Sequence, residues 1–131
     1  MKYMCLGYLD EKKFEAMTEA ERNAFMDICF DYDDVLRAKG HFLNGEGLES
    51  ARTATTVRVK NGKPVVTDGP FIETKEQLGG VLILEAKDLD EAIQLICNHP
   101  GIAAAGFEIR PIADMSAALQ ESEKRRAAAK A

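Results

Sequence analysis

The chain has 131 residues, with 17 Lys+Arg against 22 Asp+Glu, for a formal net charge of −5. This length is typical of one globular domain, whose core needs neither a metal nor a disulfide to be stable. The net acidity argues against a nucleic-acid-binding protein, which needs a basic face. No apolar run approaches the roughly 18 residues of a membrane span, and the three cysteines have no paired spacing. We expect a cytoplasmic protein.

A strand and a helix are predicted in the first 40 residues. Lys2–Leu9 has apolar residues at both odd and even positions, as in an interior strand that is covered on both faces. A capping box at Thr18 predicts the start of a helix, and Gly40 stands where such a helix ends. One face of the helix carries the apolar stripe, which consists of Ala24, Phe25, Ile28, Cys29, Tyr32, Val35 and Leu36. The opposite face carries four aspartates that we expect to be solvated: Asp27, Asp31, Asp33 and Asp34.

A hairpin is predicted in the middle of the chain, after a strand over residues 41–48. Thr55–Lys60 alternates apolar and polar residues, and Asn61-Gly62 then favours a two-residue turn, because both positions tolerate positive φ. Pro64 cannot donate to a ladder, so its strand should lie at an edge. We expect this hairpin to be an addition to the main order of strands and helices.

The last third of the chain is predicted to be strand, helix, strand and helix. Residues 80–86 form the most continuously apolar run and should be a central strand. Asp88 caps a helix that ends at 98–101, and residues 107–112 alternate. Without the hairpin the order is β-α-β-β-α-β, the ferredoxin-like arrangement. We expect an α+β domain over residues 1–113, followed by a basic helical extension over 114–131.

Residues 67–80, TDGPFIETKEQLGG, form the most unusual segment. Asp-Gly-Pro favours a turn, and Thr74 with Gln77 resembles a capping box, which predicts a short helix near Lys75. One interpretation is a structural loop that holds Phe71 as an aromatic plug over the core. The alternative is a pocket rim with a carboxylate as general base and a lysine for an anionic substrate, formed by Asp68, Glu73, Lys75 and Glu76.

The same segment resembles the DGPF signature of the YCII-related (DGPF-domain) family. The similarity extends from residue 2 to 112, through Lys2-Tyr3-Met4, Thr56-Val57-Arg58-Val59, Asn61-Gly62, Leu89-Asp90-Glu91-Ala92 and Glu108-Ile109-Arg110-Pro111. The resemblance implies a ferredoxin-like fold that pairs as a dimeric α+β barrel, a bacterial source and, for most members, no assigned activity. Some relatives are similar to a dehydrochlorinase with a histidine–aspartate pair, and others are associated with sigma factors.

The resemblance also implies site residues. Asp68 matches the family aspartate, whereas the family histidine falls near Tyr32 and Asp33, where this chain has none. His41 or Tyr32 is left as a candidate partner, and His99, before Pro100, is interpreted as a cap or a surface residue. We therefore predict Asp68 and His41 as catalytic residues and Lys75, Arg110, Glu73 and Phe71 as substrate-binding residues.

Two functions are compatible with these residues. The first is an uncharacterised YCII-related homodimer that binds a ligand or regulates a partner, with a sigma factor as a functional link. The alternative is a cofactor-independent lyase or isomerase with dehydrochlorinase-like acid–base chemistry on a small organic acid or anion. No cofactor, metal, nucleic acid or membrane is expected in either case. Residues 4–9 and 81–84 are apolar at both odd and even positions, so both faces of the sheet should be covered. This pattern favours the homodimer, because a second copy would cover the sheet face that the helices leave open.

Overall fold

The computed structural model describes all 131 residues, which form six strands and four α-helices. The elements are β1 (Lys2–Leu9), α1 (Glu11–Glu15), α2 (Glu19–Ala38), β2 (Phe42–Gly47), β3 (Thr55–Lys60), β4 (Lys63–Asp68), β5 (Gln77–Glu85), α3 (Leu89–Cys97), β6 (Ala105–Pro111) and α4 (Ser116–Lys130). Two 3-10 turns, Ala51–Thr53 and Pro100–Ala103, lie between them. None of the helices combines the length and apolar character needed to cross a bilayer.

The main sheet has four antiparallel strands in the order β2-β5-β1-β6. The two most apolar strands of the sequence, β1 and β5, are the two central ones. This order and the helices between the strands confirm the predicted α+β class, and they are the arrangement of a ferredoxin-like fold.

The core lies between one face of this sheet and the helices α2 and α3. Its fully buried side chains include Tyr3 and Cys5 of β1, Leu84 of β5 and Leu36 of α2. Burial raises the pKa of the Cys5 thiol to about 11. Because side chains alternate along a strand, the other face of the sheet presents partly exposed apolar residues that no helix covers: Met4, Leu6, Tyr8, Val81 and Ile83.

Helix α2 begins and ends as predicted, but its buried stripe differs from the prediction. Thr18 and Glu21 form the capping box, and Gly40 follows the helix with φ +80°. Cys29 and Leu36 are buried, whereas Ile28 and Val35 are exposed. The helix is therefore rotated from the predicted orientation, and this rotation moves one aspartate to the inner face.

Strands β3 and β4 form a separate two-stranded sheet. The turn at Asn61-Gly62 has φ of +51° and +76°, and the ladder runs from Lys60 opposite Lys63 to Thr55 opposite Asp68. We call this unit the hairpin. It is inserted between β2 and β5, which are neighbours in the main sheet.

Two predictions for residues 67–80 are wrong. No helix begins near Lys75, because β5 already begins at Gln77, which pairs with Leu9 in the sheet. Phe71 does not plug the core, since its side chain is exposed and lies against the Arg58 guanidinium, 3.9 Å from the ring centroid. The segment is a loop that links the hairpin to the main sheet.

Candidate functional site

A cavity of about 710 Å³ opens between α2, α1 and the helix-facing side of the sheet. Its volume lies in the usual range for a small-molecule site. Aromatic side chains supply much of its wall: Phe14, Phe25, Phe30, Phe42 and Phe107. A flat organic molecule could bind against such a surface.

A histidine–aspartate pair lies on the wall of this cavity. His99 follows α3 and is only 5% exposed, and Asp33 of α2 is 14% exposed. The His99 Nε2 atom lies 2.8 Å from Asp33 Oδ1, across 66 residues of sequence. The two side chains join the end of one helix to the middle of another.

Both ring nitrogens of His99 have partners. The backbone N–H of Gly101 donates to Nδ1 at 2.9 Å, so Nδ1 carries a lone pair rather than a proton. In a neutral ring the proton is then on Nε2, which donates to Asp33. His99 therefore holds one oxygen of Asp33 and leaves the other carboxylate oxygen free of a side-chain partner.

The position of the imidazole is fixed by packing as well as by hydrogen bonds. The Tyr32 ring meets it edge-on with 5.2 Å between centroids, and Phe107 packs at 6.1 Å. The Tyr32 hydroxyl donates to the Leu95 carbonyl. A side chain at Gly101 would lie 2.9 Å from His99 Nδ1, so the close backbone approach requires glycine.

The neighbouring ionisable groups stay protonated. Burial, and then the negative charge of Asp33, raise the pKa of the Cys29 thiol and of the Tyr32 hydroxyl. A protonated thiol is a poor nucleophile. Among these groups, the Asp33 carboxylate is the one equipped to accept a proton from a bound molecule.

Acidic side chains predominate among the charged groups of the cavity. They are Glu11, Glu15, Asp33, Asp34, Glu46 and Glu49, against one cation, Arg37. The Arg37 guanidinium already pairs with Asp34 at 2.5 Å and lies over the Phe42 ring at 4.4 Å. Within one chain, the electrostatics of the cavity disfavour an organic anion.

Three of the predicted site residues meet at a second groove, of about 650 Å³. Asp68, Glu73 and Lys75 line it together with Lys12 and Arg52. Nearly all of its lining residues are polar or charged, and it lies at the base of the hairpin. The catalytic role assigned to Asp68 and the binding roles of Glu73 and Lys75 stay predictions.

The structure does not bring the other predicted site residues to this groove. His41 Nδ1 lies 2.9 Å from the Glu85 carbonyl, at the end of β5 opposite to Gln77, and eight strand steps separate those ends by about 27 Å. No hydrogen bond joins His41 to Asp68. Arg110 pairs with Glu108 at 2.5 Å on the open face of the sheet.

The Asp33–His99 pair is what the sequence interpretation missed. His99 is indeed a cap, since it accepts the Gly101 N–H, but it is buried rather than on the surface. The sequence pattern predicts Asp33 to be solvated, like the other aspartates of α2. It lies four residues after Cys29 and three before Leu36, both buried, and this helical spacing was the signal that could have placed it on the inner face.

The fold and the site together define a small ferredoxin-like α+β protein with a ligand-sized cavity and a partly buried histidine–aspartate pair. Residues 1–116 match the YCII-related domain, and the chain belongs to that family. It is 30% identical over 115 residues to an uncharacterised protein of Rhizobium meliloti (strain 1021), a match that covers 86% of this chain and 93% of the relative.

A solved structure has a similar fold. It is 5-chloro-2-hydroxyhydroquinone dehydrochlorinase from Burkholderia phenoliruptrix AC1100 in complex with 2,5-dihydroxybenzoquinone, with a TM-score of 0.52 and 16% identity. The match covers 86% of this chain and 94% of that one. At this identity the similarity is one of fold.

Proposed function

We propose that the chain is a cofactor-independent enzyme of the lyase or isomerase class that binds a small organic molecule in the 710 Å³ cavity. The observation that carries this proposal is the Asp33–His99 pair on the cavity wall, 2.8 Å between its atoms. A carboxylate with one oxygen held and one free is a suitable general base. That the fold neighbour is a dehydrochlorinase in complex with a small quinone is compatible with this class.

The proposed step is a proton transfer. The free oxygen of Asp33 takes a proton from a carbon of the substrate, and the electron pair of that C–H bond forms a new double bond. In a lyase the leaving group departs from the adjacent carbon with its bonding electrons, whereas in an isomerase Asp33 returns the proton to another carbon. His99 is a positioning residue, because both of its ring nitrogens are already engaged.

A ligand-binding regulatory dimer, functionally linked to a sigma factor, is the second candidate. It is favoured by the hydrogen bonds that both ring nitrogens of His99 make within the chain, because a histidine with a purely structural role would make the same bonds. A regulator would bind its ligand in the cavity without exchanging protons with it. The two candidates therefore differ in chemistry and share the binding site.

A panel of neutral, cationic and anionic organic compounds tests both candidates. We expect at least one compound to raise the Tm, to move the amide NMR signals of Asp33, Gly101 and Phe107, and to exchange a C–H proton in D₂O. Binding without exchange would support the regulator. Signal changes confined to Asp68, Glu73 and Lys75 would contradict both and favour the second groove.

We also propose that the protein is a homodimer through the open face of its main sheet. The support is the row of apolar side chains there, including Leu6 and Ile83, which no helix covers. Light scattering should give twice the chain mass of 14.4 kDa, and Leu6→Lys should give one chain mass. A 14.4 kDa species of the unaltered protein at tens of micromolar would contradict the dimer.

A further inference from the structure

A row of glycines crosses three strands of the main sheet. Gly47 of β2 lies opposite Gly80 of β5, which in turn lies opposite Gly7 of β1. Neighbouring strands are about 4.8 Å apart, so this glycine row spans about 10 Å. Glycine inside a strand costs stability, and it often marks a place where a ligand or another backbone approaches closely.

The glycine row is on the helix-facing side of the sheet. Gly7 lies two residues after buried Cys5, and side chains alternate along a strand, so both positions face the helices. Residues directly opposite each other in a sheet share a face, so Gly80 and Gly47 face the same way. All three glycines line the 710 Å³ cavity. The row is therefore part of the cavity floor.

Packing within the chain explains glycine at positions 7 and 80 but not at position 47. A Cβ atom at Gly7 would lie 3.1 Å from the Phe107 ring, and one at Gly80 would lie 3.1 Å from the Glu46 carbonyl oxygen. Beyond the residues next to it in the chain, a Cβ atom at Gly47 would meet nothing within 4 Å. Its backbone also lacks the positive φ that favours glycine. The space above Gly47 is thus open for a molecule from outside the chain.

The sheet surface at Gly47 and Gly80 is bare, and two phenyl rings border it. Apart from residues adjacent in the chain, no side chain lies within 4 Å of a Cβ position at either glycine. The Phe107 ring borders this surface over the neighbouring strand β1. The Phe42 ring borders it over Gly45, where a Cβ atom would be 2.8 Å from the ring. We call this surface the bare strip.

We propose that the molecule bound in the cavity has a planar ring, which lies flat on the bare strip with its edge towards Phe107. Without Cβ atoms, one face of such a ring can contact the backbone of two strands at once, whereas a puckered ring touches it with fewer atoms. Phenyl side chains beside the strip add offset or edge-to-face contacts. Gly47 is then the residue that determines which shapes the site accepts.

Two further features agree with this placement. The Phe107 ring packs 6.1 Å from the ring of His99, so it connects the bare strip to the Asp33–His99 pair. The excess of carboxylates over cations in the cavity favours a neutral or cationic ring compound. This inference rests on the proposed use of the cavity as a ligand site, and it adds the shape of the ligand.

Matched pairs of planar and saturated compounds test the shape. Benzylamine and phenol have planar rings, and cyclohexylmethylamine and cyclohexanol carry the same functional groups on puckered rings. We expect NMR titration to give a Kd about fivefold lower for benzylamine than for cyclohexylmethylamine, and a preference of the same sign for phenol. Equal or tighter binding of the saturated compounds, or no binding of benzylamine at millimolar concentration, would overturn the proposal.

Intermolecular NOEs test where the ring lies. We expect the ring protons of benzylamine to give NOEs to the Hα atoms of Gly47 and Gly80 and to the ring of Phe107. NOEs only to Phe14 and Phe25, which belong to α1 and α2, would show that the compound binds to the helices instead of the sheet. That result would contradict the proposal.

The Gly47→Val variant should lose the binding without losing the fold. Its Cβ atom meets nothing in the free protein, and valine is favoured over glycine in strands, so the Tm should not fall. The side chain would occupy the bare strip, and the affinity for benzylamine should fall about tenfold or more. Unchanged affinity would contradict the proposal.

Gly106→Val is the matched control. Gly106 of β6 lies opposite Tyr8 on the open face of the sheet and does not line the cavity. A Cβ atom there would meet only the Glu76 carboxylate, at 3.9 Å. The affinity for benzylamine should stay within about twofold of the unaltered protein, and a loss equal to that of Gly47→Val would overturn the proposal.

Proton exchange separates this inference from the proposed enzyme. Planar compounds that bind on the bare strip, with no compound of the panel exchanging a C–H proton, would support the inference and contradict proton transfer by Asp33. A compound that exchanges its proton equally fast in the Gly47→Val variant and in the unaltered protein would support the enzyme and overturn the inference.

Discussion

The Asp33→Asn variant should exchange the C–H proton of a bound compound about 10²- to 10⁴-fold more slowly than the unaltered protein. The amide keeps the shape of the carboxylate and an oxygen that can accept from His99, but it cannot take up a proton from carbon. The measurement is the NMR exchange rate in D₂O, with the compound from the panel that exchanges fastest. The fold of the variant is checked by circular dichroism.

Asp31→Asn is the matched control for this variant. Asp31 lies two residues away on the same helix, is exposed and does not line the cavity. Its replacement removes the same charge from α2 and should leave the exchange rate within about twofold. Equal losses in the two variants would mean that the net charge of the helix, rather than the Asp33 carboxylate, determines the rate.

Substitutions at His99 separate positioning from direct proton transfer. His99→Gln keeps an N–H donor for Asp33, so the rate should fall by less than about tenfold, whereas His99→Leu leaves Asp33 without its donor and should lose about 10²-fold. If His99 itself carried the proton, glutamine would be as damaging as leucine. A similar loss in both variants would contradict the positioning role.

The Leu84→Ala variant should lower the free energy of unfolding by about 3 kcal/mol. Leu84 is fully buried between β1 and β2, among Cys5, Leu36 and Ile96, so its removal leaves a cavity that neighbouring side chains cannot fill. Few residues of the chain are fully buried, and each therefore carries a large share of a stability of about 5–15 kcal/mol. Urea denaturation at a fixed chain concentration measures the change.

Leu119→Ala makes the same chemical change in α4, where Leu119 is exposed and the helix has no buried residue. Its effect should stay within about 0.5 kcal/mol. A loss at Leu84 below about 1 kcal/mol would show that the helix-facing core is not the main source of stability.

The strands and helix ends were predictable because their determinants are local. The capping box at Thr18, the side-chain N-cap at Asp88 and the turn at Asn61-Gly62 each involve residues within four positions of one another. The most apolar segments became the central strands β1 and β5 for the same reason: the side chains of a central strand must be buried on at least one face whatever its neighbours are.

The site was not predictable in the same way. Asp33 and His99 meet only because α2 and the turn after α3 pack side by side, and no local pattern encodes that contact. The loop with Asp68 is distinguished by its acidic composition, whereas the Asp33–His99 pair consists of one aspartate among several and a histidine in a turn. The rotation of α2, which exposes Ile28 and Val35, depended on tertiary packing that outweighed a simple apolar stripe.

The position of β1 has a consequence for how the chain folds. Strand β1 leaves the ribosome before both of its partners, Gln77–Glu85 and Ala105–Pro111, which are the fifth and sixth strands of the domain in sequence. Its backbone groups and apolar side chains therefore have no strand to pair with until nearly the whole domain has been synthesised. Pairing between strands so far apart in sequence slows folding and leaves an unpaired, aggregation-prone strand exposed on the nascent polypeptide. The late pairing of β1 is therefore a property of this topology, independent of what binds in the cavity.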